Sequence, residues 1–370
     1  MASVKKPVHG GDVHAASREL GREVTELIDF SASINPLGPS QNVWRAIAGA
    51  RHLVPHYPDP ECWDLRQALA TLWRCAPGQI LVGNGSIELL YALPRALKID
   101  HLLLVQPTFS EYAASMARAG GRVTTVYADR DEQYALPIDR LCQLLERPAK
   151  GSRTIDGVLL CNPNSPTGQA CSAAEVLRLV RAAQRRGVWL IVDETFADYC
   201  PERSILPLAS SWSRVVVVRS LTKFYGLPGL RVGYALAAPT VVQRLRGELP
   251  PWSVNAMGQV AALAALHDTA HAKKSLQFVV KERTRMANAL AELPGCTVFP
   301  AHANFLFMEL PRGWHGAKLT EQLRREGLLI RDCSSVPGAN RRSIRIAVRS
   351  RQDNDRLLKS LYRVLSGRRS

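Results

Sequence analysis

The sequence predicts an α/β fold: a large domain built on a mainly parallel, mixed sheet flanked by helices, beside a smaller α+β domain. Short apolar runs alternate with helical patterns from about residue 80 to 238, and several of those runs lack any polar interruption. After Pro250-Pro251 the pattern changes to long helices with a few short strands. The 370 residues, 46% hydrophobic and 22% charged, supply enough apolar side chains for a sizeable core.

Taken in order, residues 80–82, 101–105 and 123–127 read as strands, separated by helices over 87–96 and 111–119. Residues 155–160, 188–192 and 215–218 are near-continuous apolar runs, the mark of strands covered on both faces. Between the first two of these, Ser172-Ala-Ala-Glu175 is a capping box that starts a helix running to about Arg186, before Gly187. Beyond the proline pair come helices over 256–267 and 272–293, strands over 304–309 and 343–348, and a last helix over 353–365. The expected division is an amino-terminal arm over 1–50 docking on the small domain, a large domain over 51–252 and a small domain over 253–370.

The formal charge of +16 suits anionic ligands as well as it suits nucleic acid. Arg341, Arg342, Arg345, Arg349 and Arg351 are interleaved with apolar residues in a strand-like pattern, which favours a solvated face over a nucleic-acid patch. The eight cysteines are scattered with no C-x-x-C pair, so no metal is expected. Residues 1–14 lack the apolar core of a signal peptide, and no segment has the length of a membrane span. The expectation is a cytoplasmic protein with neither a membrane nor a nucleic-acid partner.

Four features sit where a doubly wound sheet places ligands, beyond the carboxyl ends of its strands. Val82-Gly83-Asn84-Gly85-Ser86 follows a strand and opens a helix, offering free N–H groups to an anion. Cys161-Asn162-Pro-Asn-Ser-Pro-Thr-Gly168 ends a buried strand with an asparagine that can donate and accept. Asp193-Glu194 puts a carboxylate at another strand end, where it could keep a heteroaromatic nitrogen protonated. Ser220-Leu-Thr-Lys223 brings an amine to a third, and Gly226, Pro228 and Gly229 bend the chain back toward Arg231. Each alone fits an ordinary turn, cap or loop. Together they supply an anion cradle, a pyridinium partner and an imine-forming amine, the set that holds pyridoxal phosphate.

In the order and spacing of these motifs the chain resembles the fold-type I aminotransferase superfamily. The resemblance implies that Lys223 forms the imine with the cofactor, that Asp193 pairs with its ring nitrogen, that Asn162 meets its ring oxygen and that Phe109 stacks on it. It implies a phosphate site of Gly85, Ser86, Ser220, Thr222 and Arg231, and a homodimer in which Tyr57 reaches the neighbouring copy's phosphate. For a phosphorylated amino acid substrate it implies Arg331 and Arg345, with His9, Gly10, Asn35 and Asn162 closing the site.

Two families within the superfamily are similar to this chain: threonine-phosphate decarboxylases of cobalamin biosynthesis and histidinol-phosphate aminotransferases. His9-Gly10-Gly11-Asp12, the stretch from Asp29 to Gly38, and Pro251-Trp-Ser-Val-Asn-Ala256 resemble the former. Aminotransferases usually carry tyrosine three residues after the aspartate, whereas Phe196 stands there and offers no hydroxyl. The expectation is therefore decarboxylation, with transamination of histidinol phosphate as the alternative. A non-enzymatic regulator of this fold would need a DNA-binding module ahead of it, and none precedes His9.

Overall fold

The computed structural model describes residues 10–147 and 154–366. The chain begins with α1 (Val13–Leu20), β1 (Ile28–Asp29), α2 (Gln41–Gly49) and α3 (Trp63–Trp73). It continues through β2 (Ile80–Asn84), α4 (Ser86–Leu97), β3 (His101–Gln106), α5 (Glu111–Arg118), β4 (Arg122–Tyr127) and α6 (Ile138–Glu146). Next come β5 (Gly157–Cys161), α7 (Ala173–Arg185), β6 (Trp189–Asp193), α8 (Leu206–Ala209), β7 (Val215–Ser220), β8 (Val232–Ala237) and α9 (Pro239–Arg246). After α10 (Ala256–His267) and α11 (Thr269–Ala291) come β9 (Thr297–Val298), β10 (Phe305–Glu309), α12 (Gly316–Arg325), β11 (Leu328–Leu329), β12 (Arg331–Asp332), β13 (Ser343–Ala347) and α13 (Arg351–Leu365).

The large sheet has the order β2-β8-β7-β6-β5-β3-β4. Its strands are parallel except β8, which runs against both neighbours. Every residue of β5, β6 and β7 is buried, as uninterrupted apolar runs require. Leu160, Val192 and Val217 face one core, while Leu159, Ile191 and Val216 face the other. The α7 capping box forms as read, with Ser172 and Glu175 bonding each other's backbone N–H. Strand β8 escapes the periodicity because Gly233 interrupts it; a Cβ there would collide with the Ser86 nitrogen, so the glycine lets the start of α4 lie against the sheet.

The small sheet is antiparallel, in the order β12-β13-β10-β9. Its core gathers Phe30, Met286, Leu306, Ile344, Leu357 and Leu361. The arm joins it directly, since β1 pairs in parallel with β11. Helix α10, assigned from sequence to the small domain, packs elsewhere. Its Ala262 lies in the large core with Val82 and Val217, and its Ala261 and Ala265 cover Val43 of α2. Small residues on more than one face of α10 allow both contacts, which moves the division of domains toward the start of α11. Among the described residues no helix is long and apolar enough to cross a membrane.

A buried carboxylate ties the two sheets together. Glu309 on β10 is fully buried and takes Arg130 Nε at 3.0 Å from beyond β4, Arg342 Nη2 at 2.9 Å and Asn340 Nδ2 at 2.7 Å. Replacing Glu309 by Gln strands two guanidiniums against each other. Because Arg130 can turn to water, the expected loss is about 3 kcal/mol, the low end for a broken buried pair, measured by urea unfolding.

Candidate active site

Lys223 lies in the tight connection between β7 and β8. Its carbonyl accepts from Asn35 N at 3.0 Å and Gly226 N at 3.3 Å, and the next carbonyl, of Phe224, accepts from Asn35 Nδ2 at 2.7 Å. The main chain at and just after the amine-bearing residue is thus clamped by Asn35 of the arm. Burial lowers the lysine's pKa to about 8, helped by the charges of Arg345 and Arg231 and opposed by Asp193 and Asp29. An appreciable fraction is therefore the free amine near neutrality.

Asp193 ends β6, with Oδ1 accepting from Thr195 N at 2.8 Å and Oδ2 from the Tyr112 hydroxyl at 2.8 Å. Burial pushes its carboxyl upward while these donors pull it back. Tyr112 was not singled out from sequence, although it stands three residues after Phe109, in the first turn of α5. Phe109 meets Tyr112 edge to face, with centroids 5.5 Å apart. Phe196 points into an apolar cluster, edge-on to Phe305 at 5.0 Å.

The start of α4 has no side-chain cap, so its first N–H groups are not met by one. Gly85, with φ of +76°, lies against Arg231; a Cβ there would sit 2.7 Å from Arg231 Nη2. Arg231 itself adopts a left-handed φ of +54°. Ser220 and Thr222 exchange a hydrogen bond of 2.7 Å, and Thr222 N reaches Ser220 Oγ at 3.3 Å. Helix start, guanidinium and two hydroxyls could together hold a phosphate.

Arg331 and Arg345 stand directly opposite each other on β12 and β13. Like charges so paired repel unless an anion lies between them. Arg345 Nη1 donates to Ser165 Oγ at 2.9 Å and Nη2 to the Ser31 carbonyl at 2.7 Å, its guanidinium lies 5.0 Å from the Phe305 centroid, and its Nε is buried without a partner. Burial lowers its pKa to about 10, with Arg331 adding to the shift. Ser31 also accepts from Gly11 N at 2.8 Å, and Gly10 lies so close that a Cβ would strike the Ser31 carbonyl. The arm therefore packs on the residue that holds Arg345. His9 lies outside the described residues.

Two asparagines depart from expectation. Asn162 Oδ1 accepts from Cys171 N at 2.8 Å and its Nδ2 faces the Cys171 and Arg203 carbonyls, so the amide is committed to its own loop. Ser165, three residues on, is the member of that loop that touches Arg345. Asn35 spends Nδ2 on Phe224 O and Ser275 Oγ and Oδ1 on Leu37 N, which leaves it holding the lysine segment instead of facing a substrate. Tyr57 is 81% exposed and packs against Trp252, with centroids 5.0 Å apart.

The family model described as aminotransferase class I and II matches residues 25–361. A threonine-phosphate decarboxylase of Salmonella typhimurium is 34% identical over 97% of each chain. A histidinol-phosphate aminotransferase of Anaeromyxobacter is also 34% identical, over 99% of this chain and 98% of its own. The structure resembles that of a Sinorhizobium meliloti histidinol-phosphate aminotransferase in complex with pyridoxal 5′-phosphate, with a TM-score of 0.84, 25% identity and coverage of 99% and 98%.

In the cofactor-free protein, labelling of Lys223 by an amine-specific reagent should rise with pH with a midpoint near 8, not the 10.5 of an ordinary lysine. Arg345→Leu should move that midpoint upward, because a neighbouring cation that disfavours the charged amine is gone. Peptide mass spectrometry across a pH series reads both.

Proposed function

The chain belongs to the aminotransferase class I and II family, and from that premise we propose that it decarboxylates L-threonine O-3-phosphate to (R)-1-amino-2-propanol O-2-phosphate, as needed for the nucleotide-loop linker of cobalamin. The cofactor is pyridoxal 5′-phosphate. When bound, it supplies a conjugated electron sink for the pair released at the α-carbon.

The residues fit that cofactor. Lys223 offers its amine, Asp193 a carboxylate that holds a proton at the ring nitrogen, and Phe109 an aromatic face. Gly85, Ser86, Ser220, Thr222 and Arg231 bind the phosphate. Arg331 and Arg345 take the substrate's anionic groups, and the way they set its carboxylate chooses between loss of carbon dioxide and loss of the α-proton. Lys223 Nζ then returns a proton to the α-carbon. Gly10, behind Ser31, closes the site from the arm. The exposed Tyr57–Trp252 pair supports a homodimer in which Tyr57 reaches the phosphate site of the neighbouring copy.

The observation that carries the reading is the facing pair Arg331 and Arg345, with Arg345 near a lysine whose pKa burial lowers to about 8. Threonine phosphate brings a carboxylate and a phosphate to two guanidiniums, whereas histidinol phosphate has a phosphate and no carboxylate. Phe196, without a hydroxyl three residues after Asp193, supports the same choice. Transamination of histidinol phosphate stays as the second reading because the relatives of that kind reach the same 34% identity.

Incubation with O-phosphothreonine should release carbon dioxide and aminopropanol phosphate without an oxo-acid acceptor. Turnover of histidinol phosphate that depends on 2-oxoglutarate, with no carbon dioxide from O-phosphothreonine, would overturn the proposal. Arg345→Ala should lower kcat/KM about 100-fold, the roughly 3 kcal/mol of a lost charge-assisted contact, and Arg345→Lys should restore little of it.

A further inference from the structure

Tyr112 touches two of the groups that meet the cofactor ring. Its hydroxyl lies 2.8 Å from Asp193 Oδ2, and the edge-to-face contact with Phe109 places the two centroids 5.5 Å apart at 83°. It is 1% exposed, and its own carbonyl accepts from Ser115 Oγ at 2.9 Å, which secures the turn of α5 that carries it. We propose that Tyr112 is a positioning residue that keeps Asp193 ionised and seats Phe109, and thereby sets how firmly the cofactor ring is held.

The chemistry of the contact supports a one-way role. Asp193 is buried, which disfavours its charge, and an ionised carboxylate is an acceptor only. One oxygen is met by Thr195 N and the other by the phenol. The phenol must be the donor. Burial and the neighbouring carboxylate push the Tyr112 pKa far above its ordinary value, so it keeps its proton wherever Asp193 is charged. Without the phenol, Asp193 is harder to ionise and holds the ring-nitrogen proton less firmly. The edge-to-face contact adds a geometric constraint, since Phe109 leans on the same side chain and cannot tilt independently of it.

This inference rests on pyridoxal phosphate as the cofactor and not on which reaction follows, so its test stands if the decarboxylation assay fails. Tyr112→Phe keeps the ring against Phe109 and removes the hydroxyl alone. The dissociation constant of pyridoxal phosphate, measured by titrating the cofactor-free protein, should rise about tenfold or more, the scale of one hydrogen bond to a charged group. The pH at which the visible absorbance of the bound cofactor changes should also move upward. Less positive charge at the ring nitrogen lets the nitrogen of Lys223 keep its proton to higher pH. Tyr134→Phe removes another buried phenol, distant from Asp193, and should leave both values unchanged. Unchanged affinity and unchanged pH midpoint in Tyr112→Phe would overturn the proposal. So would a fall in the melting temperature of the cofactor-free variant that accounts for the whole loss of affinity, since that is the mark of a merely structural residue.

Discussion

An amine can attack a carbonyl carbon only without its proton, and a lysine keeps its proton at neutral pH unless its surroundings make the charge costly. At Lys223 that cost comes from burial and from two guanidiniums. Two unit charges about 6 Å apart in a medium of effective dielectric about 20 repel by roughly 3 kcal/mol, about two pKa units. A shift from 10.5 to about 8 is within reach of these effects even with Asp193 and Asp29 opposing them. The same two cations attract anions. Under the proposed function Arg231 would meet the cofactor phosphate and Arg345 the substrate, so the groups that lower the amine's pKa would also hold the molecules it acts on, and each anion that bound would relieve the repulsion among them.

The fold delivers these charges through strand ends and one reversal. Parallel strands β5, β6 and β7 finish side by side, which brings Asp193 and Ser220 to the same edge of the sheet. Because β8 runs back antiparallel, Arg231 returns close to Ser220 within the short span 221–231. Alternation along β7 sends Arg219 to the other face, where it is wholly buried with Glu194 and Asp198 and lies 5.3 Å from the centroid of Trp73. That ion group ties the segment after β6 to β7 from behind, so the end of β6 is fixed on both faces. The main chain that carries the amine is held by Asn35 and Gly226, so the arm supports the lysine segment directly and is not only a cover.

What could be read from sequence depended on whether spacing alone decides direction. The buried strands were legible because an uninterrupted apolar run leaves little else for them to be, and the residues directly following them, Asp193, Ser220 and Lys223, inherited their place from the strand ends. Asn162 and Ser165 share a loop containing Pro163 and Pro166, where turn geometry and not periodicity decides which side chain faces Arg345. Asn35 was expected to close the site over a substrate, and only the fold shows its amide closing on Phe224 from 189 residues away. The opposition of Arg331 and Arg345 needs the β12–β13 register, which spacing does not provide. Strand β8 and the true company of α10 were hidden for a related reason: Gly233 and the alanines of α10 mark close approach, and the partner approached is a property of the fold.

Residue 196 shows how a single missing hydroxyl can act through packing. The Phe196 ring meets Phe305 edge-on at 5.0 Å, and the guanidinium of Arg345 lies 5.0 Å from the centroid of that same Phe305. A tyrosine at 196 would carry a hydroxyl into or past this cluster and would need a partner for it. Phenylalanine makes no such demand, and it leaves Phe305 as a firm aromatic floor under the cation. Residue 196 is thereby coupled to the arginine as well as to the neighbourhood of Asp193. Nη1 and Nη2 of Arg345 each donate once, to Ser165 and Ser31, and Nε is buried and unpaired, so the guanidinium keeps further N–H donors for a ligand. An anion that met those donors would be fixed relative to the amine of Lys223, and under the proposed function the orientation so imposed would decide which bond at the α-carbon stands in line to break.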